Sequence, residues 1–199
     1  MASVARPPSD FAAARRAMID SQLRTSGVTD PWVLSRMAGV PREDFVPGAA
    51  REAAYTDRAV PLGDGAMLAA PIFYGRMLSE AKVVPGDRVL VVDGGSGYLP
   101  ALLGAVAQSV DTVTASDASS GRKKGDYTLL LVDGAAERLP DTLAAWLADD
   151  ARIVTGIVDS GVTRLAVGRK AEGAIALLPL AEMGIPRLAE FDKPEEWSF

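Results

Sequence analysis

The chain has 199 residues, 48% of them hydrophobic, carries a formal net charge of −5, and contains neither cysteine nor histidine. That length buries one full core with room for a small accessory segment, and the acidic balance argues against a phosphate-backbone partner, whose usual footprint is a basic stripe. Without cysteine there is no disulfide or thiolate chemistry, and without histidine there are no serine–histidine triads and few zinc sites.

No run reaches the length of a membrane span, and the first residues, MASVARPPSDF, hold no apolar signal core. The expectation is a cytoplasmic protein with no nucleic-acid and no membrane partner. In chain order, Ser9 is read as the N-cap of a helix with Phe11, Ala14, Met18 and Ile19 inward, ending at Gly27. Asp30-Pro31 opens a second helix through Val33, Leu34 and Met37, and Pro41 stops it. VPREDFVP (40–47) and AYTDRAVPL (54–62) read as turn and extended segments, GDGAMLAA (63–70) as a loop, and Pro71 as the start of a helix with Ile72, Met77 and Leu78 apolar.

PGDRVLVVDGGSGYLPALL (85–103) is the organising stretch. A β-branched strand, Arg88 to Val92, breaks into Gly94, Gly95 and Gly97, and a helix with Leu99, Leu102, Leu103 and Val106 on one face follows. Strand, glycine turn and helix start make a cradle in which backbone approaches a ligand closely and exposed amides favour polar or anionic atoms. Val110–Thr114 reads as a second strand, SDASSGRKKG (116–125) as a turn-rich connection, and Tyr127–Val132 as a central parallel strand ended by Asp133-Gly134. A helix from about Pro140 carries Leu143, Trp146 and Leu147 inward. Strands at Arg152–Val158, Val162–Val167 and Ala174–Leu178 follow, the last two joined at Glu172-Gly173. The fold class is α/β, mainly parallel with an antiparallel C-terminal hairpin.

VPREDFVP, AYTDRAVPL, PGDRVL and GSGY, in this order and spacing, resemble the protein-L-isoaspartate O-methyltransferase family. The likeness is specific from Met18 to Ala107 and looser from Tyr127 to Leu180. It implies a Rossmann-like class I methyltransferase sheet, S-adenosylmethionine as cofactor, and methylation of the misplaced carboxyl of isoaspartyl residues in proteins or peptides, a repair reaction. It also implies an N-terminal helical layer and substrate-side loop over 1–80 and the Rossmann-like domain over 81–199, one compact unit overall. The cofactor positions it implies are Asp93, Gly94, Gly95, Ser96, Gly97, Thr114 and Asp133. The substrate positions are Met67, Leu68, Ala69 and Pro71, with Met67 and Ala69 where the family places hydroxyls.

The departures are specific. Val91 stands at the family's acidic position and Asp93 at its first glycine, so Asp93 either contacts the cofactor's amino group from a new place or obstructs the turn. Thr114 stands where the family offers an acid to the ribose. Only twelve residues separate Thr114 from Tyr127. Extended chain at ~3.3 Å per residue spans the return between strands, but cannot also hold a strand and two helices. One edge strand and its flanking helices are therefore expected to be absent, with affinity for S-adenosylmethionine weak or lost. The same loss is expected to uncover an apolar sheet face near the second strand, through which a homodimer or protein complex would form. Two readings stay open: a working isoaspartyl methyltransferase, or a catalytically degenerate homologue that binds or assembles.

Overall fold

The computed structural model describes residues 10–104, 106–121 and 125–193. Ser9 and the tail Glu195–Phe199 lie outside them. The first helix is capped by Asp10, whose carboxylate accepts from the Ala13 amide at 2.9 Å. α1 (Phe11–Met18) runs on through a π-turn and a 3-10 turn to Gly27, which adopts φ +84°. α2 (Pro31–Gly39) starts as expected on Asp30, which accepts from Trp32 and Val33. Residues 63–70 are not a loop. Val60–Gly63 (β1) and Ala66–Leu68 (β2) form a small antiparallel hairpin, because Asp64 and Gly65 both take positive φ, as a two-residue turn of matching twist requires. α3 (Pro71–Ala81) turns Phe73, Tyr74, Met77 and Leu78 into the core and leaves Ile72 half-buried.

Six strands form the main sheet: β3 (Arg88–Asp93), β4 (Ser109–Thr114), β5 (Tyr127–Ala136), β6 (Leu147–Asp159), β7 (Val162–Ala171) and β8 (Ala174–Glu182), in the order β4-β3-β5-β6-β7-β8. β4, β3, β5 and β6 are parallel, and β6, β7 and β8 form an antiparallel meander rather than a single hairpin. Both meander turns, Ser160-Gly161 and Glu172-Gly173, have two positive φ values in succession. The central strands are buried on both faces, and their side chains alternate with period two. Val89, Val91, Leu129 and Leu131 meet the N-terminal helices, while Leu90, Val92, Leu130 and Val132 meet the opposite layer.

That opposite layer is α5 (Ala115–Ser120), α6 (Asp141–Trp146) and a C-terminal segment. Part of the connection 116–125, expected to be turn-rich throughout, folds as α5, capped by the Thr114 hydroxyl accepting from Asp117. β4 is an edge, as the short connection requires, and one short helix stands among the described residues of that connection. The expected uncovered apolar face beside β4 is not met. Asp111 and Thr112 of that strand are exposed and polar, and the exposed large hydrophobics among the described residues are Val84, Leu178 and Leu180. Leu147 opens β6 instead of closing α6, and α4 (Tyr98–Leu103) stops at Gly104, short of Val106.

β5 runs past Asp133-Gly134, where it was expected to end, because it finds a further partner. The segment Met183–Phe191, here called the strap, returns over its carboxyl end. The Ala135 amide donates to Pro186 at 2.8 Å, the Leu188 amide to Ala135 at 2.9 Å, and the Arg138 amide to Phe191 at 3.1 Å. Leu188 lies so close over Gly134 that a Cβ there would overlap it. Phe191 is buried in the second core layer and Ile185 in the first. The strap therefore joins both layers across the end of the sheet.

Candidate active site

The carboxyl ends of β3, β4 and β5 open into a cleft of about 330 Å³, bounded by the β1–β2 turn (64–67), the glycine turn and the strap (186–190). Close packing builds its floor. A Cβ on Gly94 would strike the Asp133 carbonyl, so only glycine lets β3 and β5 meet here. Gly95 and Gly97 adopt φ +97° and +69°, the left-handed region that glycine enters without cost. The sequence suggested turn amides open to a ligand, but those of Gly95 and Gly97 are already taken. The Asp93 carboxylate accepts from Gly95 at 3.1 Å and from Gly97 at 3.1 and 3.2 Å. Asp93 therefore replaces an anion-receiving surface with a negative charge.

Asp133 lies beside it, almost wholly buried. Its Oδ2 accepts from the Tyr74 hydroxyl at 3.1 Å and the Ser96 hydroxyl at 3.3 Å. Burial and then the nearby Asp93 charge push its carboxyl up to about 7, against the opposing pull of those hydroxyls and Arg42. Burial also raises Asp93, with the Gly97 and Gly95 amides opposing. Tyr74 is held well above its ordinary value by burial and by Asp133, so it stays a proton donor.

A buried arginine ties this site to the substrate-side loop. Arg42, fully inaccessible, donates from Nε to Ala54 at 2.5 Å and from Nη2 to the Ala69 carbonyl, and its guanidinium lies over the rings of Tyr74 and Tyr98 at 5.5 and 5.2 Å. Its neighbour Glu43 accepts from Arg15 at 2.8 Å and from the Tyr55 hydroxyl. VPREDFVP and AYTDRAVPL are thus two halves of one polar joint, which fixes the backbone at Ala69 and so the end of the hairpin. Among the described residues Arg42 Nη1 has no hydrogen-bond partner, but the remaining paired groups of this buried network still favour one arrangement, since each further unpaired group is costly.

Among the sequence-predicted positions, Asp93, Gly94, Gly95, Thr114, Asp133 and Met67 line the cleft. Ser96 reaches it through Asp133, and Gly97 through Asp93. Leu68, Ala69 and Pro71 are buried, so they support the loop rather than face a ligand. Thr114 is committed to α5, its hydroxyl donating to Asp117 at 2.8 Å. Sequence reasoning missed Tyr74, Arg42 and the strap. Apolar residues at Ile185, Leu188 and Phe191, three apart, were the available signal for the strap.

Met67, Pro186 and Arg187 also border a second cleft of about 530 Å³, lined by Asp57, Arg58, Ile72 and Thr163 among others. The Arg187 guanidinium is engaged by Glu137 at 2.8 Å and Asp192 at 2.9 Å, whereas Arg58 is exposed at the rim. Two adjoining clefts share one wall: one is rich in carboxylate, the other bordered by arginine. Among the described residues no group of three or more acidic side chains is placed to hold a metal, and no helix is long and apolar enough to cross a membrane.

The family model "Protein-L-isoaspartate(D-aspartate) O-methyltransferase (PCMT)" matches residues 13–118. The chain is 34% identical over 190 residues to a protein-L-isoaspartate O-methyltransferase of Koribacter versatilis, covering 83% of this chain and 86% of that protein. It is 30% identical over 207 residues to the one of Methylorubrum extorquens, covering 87% and 91%. A Plasmodium falciparum structure assigned to the same family, solved with S-adenosyl-L-homocysteine, superposes with a TM-score of 0.72 over 92% of this chain and all of that one, at 17% identity, a likeness of fold. The motifs, the sheet order and the relatives agree, and the chain belongs to the protein-L-isoaspartate O-methyltransferase family.

Proposed function

We propose that the carboxylate-rich cleft binds S-adenosylmethionine and that the arginine-bordered cleft receives an isoaspartyl side chain of a protein or peptide, which is methylated on its carboxyl. The observation that carries this reading is the sign of the charge in the first cleft. Asp93 and Asp133 place two acidic groups at the glycine turn, and the cofactor carries two cationic groups, a sulfonium and an ammonium, against one carboxylate. The residues present fit it. The cleft volume lies in the range of small-molecule sites, and the strap supplies a wall facing Thr114 and Ala115. Bound there, S-adenosylmethionine supplies an electrophilic methyl group.

The chain's part is then to bind, orient and exclude water, which needs no histidine. Asp93 and Asp133 hold the cationic portion. Arg42, through Ala69, sets the hairpin that separates the clefts. Met67 lies on the shared wall, and Arg58 offers a cation to the acceptor carboxylate. The deciding experiment is transfer of labelled methyl to an isoaspartyl peptide and to its aspartyl isomer. The expected result is labelling of the isoaspartyl peptide alone. Saturable cofactor binding with label at background for both peptides would favour the second reading, a binding protein that has kept the fold, for which the apolar Met67 and Ala69 at the family's hydroxyl positions speak.

A further inference from the structure

We infer that Glu190, carried by the strap, takes the ribose hydroxyls of the nucleoside bound in the carboxylate-rich cleft. The inference rests on the cofactor assignment just proposed. Nucleoside-binding folds of this type commonly place an acidic residue at the end of the second strand, where it accepts from the ribose diol. Here that strand is β4 and its last residue is Thr114, a neutral side chain already spent on capping α5 and bonding Asp117. The other carboxylates of the cleft are committed or remote from that corner. Asp93 is folded onto Gly95 and Gly97, Asp133 onto Tyr74 and Ser96, and Asp64 sits at the hairpin tip.

Glu190 comes from the opposite direction. It lines the same cleft as Thr114 and Ala115, is exposed, and stands on the 3-10 turn Ala189–Phe191, which packs against α5. The turn is held from both sides. Phe191 is buried, its carbonyl accepts from Arg138, and Leu188 is clamped over Gly134. A carboxylate carried on a turn anchored at both ends, beside the ribose corner, can accept two hydroxyls, and charge-assisted bonds of this kind are among the stronger ones.

The test is calorimetric titration of the full chain with S-adenosylhomocysteine and with its 2′-deoxy counterpart, in the native sequence and in Glu190→Gln and Glu190→Ala, with thermal unfolding of each ligand-free variant as a fold check. In the native chain the deoxy ligand is expected to bind about tenfold more weakly. In Glu190→Ala the parent ligand weakens and the two ligands become equal, while Glu190→Gln, whose amide oxygen still accepts from a hydroxyl, falls between Ala and the native chain. Full discrimination that persists in folded Glu190→Ala, or that is absent from the native chain, overturns the role of Glu190 and leaves the cofactor assignment standing. No saturable binding of either ligand by the native chain overturns both.

Discussion

Asp87 and Asp93 bracket the same strand, and the two ends of β3 treat them oppositely. At the amino end, burial pushes the Asp87 carboxyl up, but the Val84 amide, the Thr128 hydroxyl and the Arg152 guanidinium outweigh it and hold it below its ordinary value. These partners lie at 2.8, 2.8 and 2.5 Å. At the carboxyl end, Asp93 and Asp133 lie close together with amides and hydroxyls but, among the described residues, no paired cation, and both are raised. The amino end uses its charge to join β3, β5 and β6. The carboxyl end stores charge that a cationic ligand would relieve, which is where sheets of this type place ligands.

The contrast breaks most sharply under Asp87→Asn. Removing a buried partner of Arg152 costs about 3 kcal/mol, read as a lower urea midpoint with unchanged slope. The native Asp87 contribution is present above the ordinary carboxylate range and is lost as pH falls through its depressed value, so the variant's acid limb should be flatter. Asp133→Asn should act in the other direction. Its raised carboxyl contributes stability that is full below pH ~4, declines as pH rises, and is gone above about 7. At pH 8 the amide, still able to accept from Tyr74 and Ser96, should leave the protein about 2 kcal/mol more stable than the native chain, while at pH 5 the gain shrinks or reverses.

Two smaller effects sharpen the functional side. Arg58→Ala should raise KM for an isoaspartyl peptide about fivefold with kcat little changed, since an exposed rim cation contributes mainly uniform binding. Met67→Thr, which returns a hydroxyl to the shared wall, should improve kcat/KM about two- to threefold with no change in thermal midpoint.

Much of this architecture was legible in the chain. The β-branched run at Arg88–Val92, the almost wholly apolar stretch Tyr127–Val132 and the Asp30-Pro31 helix start each carry a local physical signal, and each forms the expected element. The count of residues between Thr114 and Tyr127 placed β4 at an edge. The site was less legible, because its key contacts are long-range. That Asp93 would fold onto its own turn depends on the geometry of Gly95 and Gly97. The role of Arg42 depends on Ala54 and Ala69 meeting it from elsewhere, and the strap depends on Ala135 having an unpaired amide to give. The Asp64-Gly65 hairpin is different, since that dipeptide is itself a short-range turn signal within the segment 63–70.

The most direct test of the carboxylate-rich cleft as a cation-receiving cofactor site is equilibrium titration of S-adenosylmethionine into the full chain across pH 6 to 8. A bound cation favours ionised Asp133, so affinity should rise several-fold as pH passes through about 7, and Asp133→Asn should abolish the rise. Absence of saturable binding, or an affinity equally insensitive to pH in the native chain and the variant, would contradict the account.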